Sequence, residues 1–264
     1  MTAAADNDYT PAYTLDNTWE AARERLEMLE VASDPYTVSH LDKVGVGPGW
    51  HCLEVGAGAG SVTRMLCERV GPDGHVLAVD LEPTLLADLS LPNLEVRRLD
   101  VVMDELPEAA FDLIHTRLVL VHIPQRNELI RKFVRSLRPG GTLLLEECDL
   151  QKAFAADDDV FRPSFEAMYR PLFEAGLDPF WAPSMAGRLE AAGLVDVVDV
   201  REPLTFTGGS PLAEFWRITY RQFLETQPYT DAERALMEEG AAAIARPGGQ
   251  YASWEWITAW GRRP

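Results

Sequence analysis

The sequence predicts an α/β chain built on a doubly wound, mostly parallel sheet, and three observations carry that expectation. Short apolar runs alternate with helical or turn-rich stretches from residue 34 onwards, one of those runs enters a glycine-rich turn that opens a helix, and the connections are short enough for one compact unit. With 264 residues, 47% of them hydrophobic, the chain can bury one sizeable core and carry appended helices; two independent domains are not expected.

Residues 1–14 are polar and Ala-rich and read as a frayed start. "TWEAARERLEMLEVAS" is rich in helix formers, with Trp19, Leu26 and Leu29 near one face, and predicts an N-terminal helix. The runs "HCLEV", "HVLAVD", "LEVRRL", "FDLIHT" and "GTLLLEE" predict five strands. Helices are expected between them over residues 61–70, 83–89 and 124–137, the last ended by the turn "RPGG". Strands joined through helices return to the same edge of the sheet, so they lie parallel. After Asp149 the rhythm stops, and "FRPSFEAMYRPLFEAGLDPFWAP" predicts a helical insertion. The helix "SMAGRLEAAGL", the strand "VDVVDV", a helical stretch over residues 211–245 and a final strand "YASWEWITAWGRR" follow. The expected divisions are therefore a helical extension (1–33), a core (34–150), a helical lid insertion (151–187) and the C-terminal part of the core (188–264).

Composition excludes several classes of partner. Forty-two acidic against 24 basic residues give a formal charge of −18, which repels nucleic-acid phosphates and anionic membrane surfaces. Cys52, Cys67 and Cys148 stand in apolar contexts, an odd count that suits reduced thiols and a cytoplasmic protein. No basic segment precedes an apolar stretch at the N-terminus, and no window has the length of a membrane span. No metal site is expected: His40, His51, His75, His115 and His122 are scattered, and the acidic run at 157–159 lacks the glycine and distal Glu of a calcium loop.

The chemistry concentrates in "CLEVGAGAGSVTRML". A β-branched strand runs through Glu54 into Gly56, Gly58 and Gly60 and then a helix, a turn that a nucleotide-type ligand can approach because no side chains stand in its path. Ser61 replaces the third glycine of a dinucleotide fingerprint, and Glu54 would repel a pyrophosphate, so a nicotinamide-dependent oxidoreductase is disfavoured. A cationic ligand without phosphate suits the same carboxylate. Asp80, 24 residues beyond Gly56, stands at the end of the second strand; it either accepts from both hydroxyls of a ribose or caps the segment starting at Pro83. Asp100 follows the third strand and can accept from an adenine amino group, with the Val101 backbone beside the ring.

Taken together, the Glu54-Gly56-Gly58-Gly60 run, Asp80, Asp100, "FDLIHTRLVLVHIP" and "LRPGGTLLLEE" resemble class I S-adenosylmethionine-dependent methyltransferases across about residues 34–150. "LDNTWEAARERLEMLE" and "ITAWGRRP" also look like a bacterial subgroup, many of whose members act on specialised metabolites. The resemblance implies a Rossmann-like seven-stranded sheet with an antiparallel last strand, and an insertion after the fifth strand that covers the acceptor. It implies Glu54, Gly56 and Ala57 at the methionine end, Gly58 and Gly60 in the loop, and Asp80 and Leu81 at the ribose. Asp100 and Val101 would meet the adenine, Thr116 and Arg117 would flank the methyl donor, and Arg25 or Trp19 would close over it.

The expected reaction is methyl transfer to a small-molecule acceptor on O, N or C, with S-adenosylhomocysteine as product. In-line displacement gains its rate from holding two reactants aligned and dry, and a base helps only when the acceptor carries a proton. Glu147, His115 and His122 are the candidates for that base, with Asp149 at the same edge; His122 reads more readily as a packed or capping residue before Pro124. Phe165, Tyr169, Phe180 and Trp181 are candidates for an acceptor wall, Trp181 foremost, although aromatics at these spacings also build cores. The alternative function is a protein that binds the same cofactor as a cyclase or binding module, since a fold and its cofactor loop do not set the chemistry. A homodimer is one option for the assembly.

Overall fold

The computed structural model describes residues 15–155 and 159–264; residues 1–14 and most of the acidic run at 157–159 lie outside the described residues. A seven-stranded sheet in the order β3-β2-β1-β4-β5-β7-β6 forms the centre. β1 (His51–Val55), β2 (His75–Asp80), β3 (Leu94–Arg98), β4 (Phe111–Arg117) and β5 (Leu137–Asp149) pair in parallel. β7 (Gln250–Arg262) runs antiparallel between β5 and β6 (Val195–Thr207), so the expected antiparallel last strand is present. β1 and β2 are buried almost throughout, as the near-continuous apolar runs of a sheet covered on both faces require.

The helices form where apolar residues recur at helical spacing. α2 (Ser61–Val70) buries Val62, Leu66, Cys67 and Val70 and ends at Gly71, whose φ of 64° suits glycine. α3 (Arg126–Ser136) buries Leu129, Ile130 and Phe133. The insertion contains α4 (Gln151–Phe154) and α5 (Phe161–Glu174), followed by α6 (Met185–Ala191). α7 (Pro211–Thr226) starts behind Ser210, whose side chain accepts from the Ala213 N–H, and α8 (Asp231–Ile244) starts with a Thr230/Glu233 capping box.

Three local expectations change. The N-terminal helix, α1 (Ala22–Val44), continues eleven residues beyond 33 and contains Pro35; its buried stripe is polar, with Arg25, Ser33, Thr37 and His40, so apolar spacing did not mark its length. Instead of a helix over 83–89 there is one 3₁₀ turn, Pro83–Leu86, because Leu86 is already drawn into the core and Pro92 leads into β3 within a few residues. "RPGG" is not a simple helix stop. β5 begins at Leu137 opposite Phe111, residues 138–141 bulge out, and pairing resumes at Leu113 with Thr142.

Candidate functional site

The carboxyl ends of β1, β2 and β4 converge on the glycine turn. Gly56, Gly58 and Gly60 all have positive φ, of 71°, 54° and 90°. A Cβ on Gly56 would lie 2.3 Å from Val119 Cγ2, so the turn and the segment after β4 can approach only with glycine there. The Gly58 N–H donates to Asp80 Oδ2 at 3.1 Å, and the Glu82 N–H donates to Asp80 Oδ1 at 3.0 Å. Burial raises the Asp80 carboxyl above its ordinary range, against those backbone donors, which lower it. Asp100 Oδ1 accepts the Val102 N–H at 2.8 Å. After β4, Leu118 takes a left-handed φ of 56°, and the reversal carries Val119, Val121 and His122 across the strand ends.

A cavity opens at this edge. One end is walled by Gly56, Gly58, Asp80, Leu81, Asp100, Val101 and Arg117, with Arg25, Leu26 and Leu29 of α1 also lining it. The other end is apolar: Met168, Tyr169 and Leu172 from α5, Phe215, Trp216 and Phe223 from α7, and Trp254 from β7. Cys148 lies in this wall, and burial raises its thiol pKa. A shallower polar recess shares Asn17, Asp80, Leu81, Leu99 and Asp100 and adds Glu82 and Asp104, extending the polar end towards solvent.

Of the residues expected to bind or catalyse, the cavity gathers Gly56, Gly58, Asp80, Leu81, Asp100, Val101, Arg117, Arg25, His122 and Tyr169. Arg25 is 2% exposed, with its guanidinium 5.9 Å from the Phe215 ring centroid, so it belongs to the join between the two ends. Ala57 and Gly60 shape the loop from behind. Ala57 packs in a small cluster with Ala78 and Leu86, and a Cβ on Gly60 would lie 2.7 Å from Leu86 Cδ2.

The remaining candidates are elsewhere. Glu54 is buried with its carboxylate 2.7 Å from His115 Nδ1, and His115 Nε2 lies 3.2 Å from Glu146, so neither side chain reaches the cavity wall. Thr116 is fully buried in β4. Glu147 is also fully buried, and its Oε1 accepts the N–H groups of Val119, Leu120 and Val121 at 3.1, 2.7 and 3.3 Å. It caps the turn that carries His122 and does not face the mouth. Trp19 donates to Glu225 at 2.8 Å under the Arg221 guanidinium, fastening the start of α1 to α7. Trp181 is 2% exposed with Arg126 and Arg188 at 5.5 and 5.9 Å from its ring, a packed position away from the cavity. Phe180 is 46% exposed, and Phe165 is buried against Phe161 and Trp216. Trp181 and Phe165 take the core reading of their spacing, and Phe180 lies at the surface.

Electrostatics separates the base candidates. Burial, assisted by the nearby Arg25 and Arg126 charges, lowers His122 to about 4, so its imidazole is neutral at physiological pH. His115 shows the opposite shift. Burial opposes its charge, but Glu54 and Glu146 raise it to about 9. Burial raises the Glu147 carboxyl to about 8, outweighing three backbone N–H donors.

The sequence reading missed the α7 wall. Phe215, Trp216, Thr219 and Phe223 recur at three- and four-residue spacing, a signal available in the sequence but shared by any helix packed on a core. Trp254 and Leu177 carried no signal that distinguished them from core residues. Among the described residues no group of three His, Cys, Asp or Glu could hold a metal ion, and no helix is long and apolar enough to cross a membrane.

Comparison with known proteins identifies the family. Residues 53–143 match the methyltransferase domain family model. Methyltransferase str2 of Strobilurus tenacellus is 30% identical over 203 residues, covering 76% of this chain and 72% of that protein. Nocamycin O-methyltransferase of Saccharothrix syringae is 30% identical over 184 residues, 62% of this chain and 66% of that one. Among solved structures, phosphoethanolamine N-methyltransferase 2 of Haemonchus contortus, in complex with phosphomonomethylethanolamine and S-adenosylhomocysteine, superposes with a TM-score of 0.64 at 15% identity. That alignment covers 97% of this chain but 60% of the other, and the likeness is one of fold.

Proposed function

Because the chain belongs to the class I S-adenosylmethionine-dependent methyltransferases, we propose that it methylates a small, largely apolar acceptor on an acidic hydroxyl. One observation carries this reading. The apolar end of the cavity adjoins Arg25 and the neutral His122, and the only carboxylates lining the cavity among the described residues, Asp80 and Asp100, stand at the other end.

The polar end fits the donor. The hydroxyls and amino group of a nucleoside match acceptors such as Asp80 and Asp100, and a turn of positive-φ glycines leaves room for close approach. Asp80 would hold the ribose and Asp100 with the Val101 backbone the adenine, while Gly56, Gly58 and Arg117 would lie along the methionine end. S-adenosylmethionine, when bound, supplies an electrophilic methyl group.

The chain's own contribution is to position the acceptor, exclude water and take a proton. Tyr169, Phe215, Trp216 and Trp254 offer an apolar chamber with few hydrogen-bonding groups, which suits a flat or aliphatic molecule and disfavours a hydrated one. An ammonium acceptor would meet the Arg25 charge, and among the described residues no carboxylate lines that end of the cavity. A hydroxyl at this end can give its proton to the neutral His122 imidazole, and its oxygen gains from the Arg25 charge as it becomes anionic. A base with a pKa of about 4 removes little from a simple alcohol, so the site suits an acidic enol or a carboxylic acid, which arrives largely ionised and draws more on the Arg25 charge than on a base. Glu147, capping the turn that ends at His122, is a positioning residue in this scheme.

The test is a panel of apolar enols, phenols, carboxylic acids and amines incubated with S-adenosylmethionine, with S-adenosylhomocysteine and methylated product followed by mass spectrometry. The expected outcome is O-methylation of an acidic hydroxyl. Turnover confined to amines would overturn the acceptor assignment. Product formed without S-adenosylhomocysteine would favour the cyclase reading.

A further inference from the structure

Behind the sheet, away from the cavity, an ionic row crosses β1, β4 and β5 and ends at β6. Glu54 of β1 stands beside His115 of β4 in register, with Nδ1 2.7 Å from Oε2. His115 Nε2 lies 3.2 Å from Glu146 Oε2 on β5. Glu146 then takes two contacts from α1: the Thr37 hydroxyl donates at 2.5 Å, and His40 Nδ1 lies 2.8 Å away. His40 Nε2 faces Glu202 of β6 at 3.4 Å, and Thr258 of β7 lies 3.2 Å from His40 Nδ1. Glu54, His115, Glu146 and His40 are buried, and only the Glu202 side chain, 30% exposed, meets solvent.

The glycine turn is held at both ends by this system. Glu54 precedes Gly56 by two residues. Ser61, which follows Gly60, donates its N–H to Glu30 at 3.1 Å and its hydroxyl to Asp34 at 2.9 Å, both on α1. Arg117 joins the two, donating to Asp34 at 2.8 Å, Thr37 at 3.2 Å and Ser61 at 3.0 Å. α1 in turn presents Arg25, Leu26 and Leu29 to the cavity, and Leu26 Cδ1 would lie 3.7 Å from a Cβ on Gly58.

We infer that His115 is a positioning residue for donor binding: as a cation between Glu54 and Glu146, it fixes the spacing between the glycine turn and the α1 wall of the cavity. This rests on reading the polar end of the cavity as the donor site. The physical reason is that two buried carboxylates on the strands flanking β4 repel each other when ionised unless a cation separates them, and each is already tied to an element that shapes the cavity. The charged groups around His115 are Glu54 from β1, Glu146 from β5, Arg117 from its own strand and, one shell out, Asp34 and His40 from α1 and Glu202 from β6. Burial raises the Glu54 carboxyl against the lowering His115 charge, whereas the His115 and His40 partners hold Glu146 down to about 2 against burial, so the His115–Glu146 pair stays ionised until His115 loses its proton near 9.

Calorimetric titration of the full chain with S-adenosylhomocysteine tests this. Wild-type affinity should be level from pH 6 to 8 and fall above about pH 9. His115→Gln should weaken binding at pH 7 at least tenfold and abolish the alkaline fall. If His115→Gln does not fold, Thr37→Val reads the same coupling through Glu146, with about threefold weaker binding. Unchanged affinity in a folded variant, or an alkaline fall that persists in His115→Gln, would overturn the inference alone. Absence of wild-type binding would overturn the donor reading and the inference with it.

Discussion

The two ends of the cavity are built on different principles. The polar end is made from backbone and strand ends: three glycines, two aspartates and one left-handed turn, contributed by segments that adjoin in the sheet. The apolar end is made from side chains on α5, α7 and β7, segments separated by tens of residues and joined by packing and, between α5 and α7, a Ser164–Tyr220 hydrogen bond of 2.9 Å. A backbone site needs particular residues at set spacings, because positive φ and close approach leave few substitutes. A side-chain wall needs volume and apolarity, which many residues supply. The first construction therefore suits a ligand common to a family, and the second suits one that differs between members.

Substitutions that act on one end alone sharpen this contrast. The largest expected effect lies outside both. Trp181→Ala removes a buried indole from between two arginines, and should cost about 3 to 5 kcal/mol of stability with donor affinity unchanged. Thermal melting with calorimetry checks this, and a stable variant with a raised acceptor KM would return Trp181 to the pocket.

Next is Gly56→Ala. Its methyl would meet Val119 at 2.3 Å and its backbone would need a φ of 71°, so stability should fall by about 2 to 4 kcal/mol, together with donor affinity. Retention of S-adenosylhomocysteine binding would show that the turn can open without loss.

Asp80→Ala should weaken donor binding by about 1 to 3 kcal/mol through lost hydrogen bonds, while leaving the apolar chamber intact. Equal affinity in the folded variant would reduce Asp80 to a loop brace for Gly58 and Glu82.

The smallest change is expected for Glu147→Gln, under about 1 kcal/mol, because an amide oxygen can accept the same three N–H groups. Its pH signature is sharper. A folded pKa raised to about 8 from the ordinary 4.5 means that the folded state holds the proton more tightly, so the stability it contributes is complete below 4.5 and lost as pH rises through 8. The variant should flatten melting temperature across that window. An unchanged pH slope would mean that another group titrates there.

The contrast also explains what could be read from the sequence. Glycine spacing and the acids at strand ends located the polar end, and alternating apolar runs located the strands. The orientation of Glu54 could not be read this way. A carboxylate beside the glycines suits a cationic ligand, and nothing local reveals that His115, 61 residues later, stands next to it in register. Nor does the strand pattern around Glu147 reveal the three backbone donors that turn its carboxyl inwards. The polar stripe of α1 hid both its length and its partners, since buried ionic rows lack an apolar period. At the other end, aromatics were sought in the insertion, but only Tyr169 of those proposed lines the cavity, because α7 and β7 supply the opposing wall.

The place of β7 has a consequence for how the chain acquires its structure. This strand is the last in chain order, yet it fills the slot between β5 and β6, supplies Trp254 to the cavity and brings Thr258 to His40. During synthesis, β5 and β6 are made while the strand that separates them does not yet exist. Until residues 250–262 emerge, both present open edges with unsatisfied backbone groups, one of them in the middle of the future sheet. Completion of the site thus waits for residues 250–262, and removal of this one strand would leave β5 and β6 without their common partner.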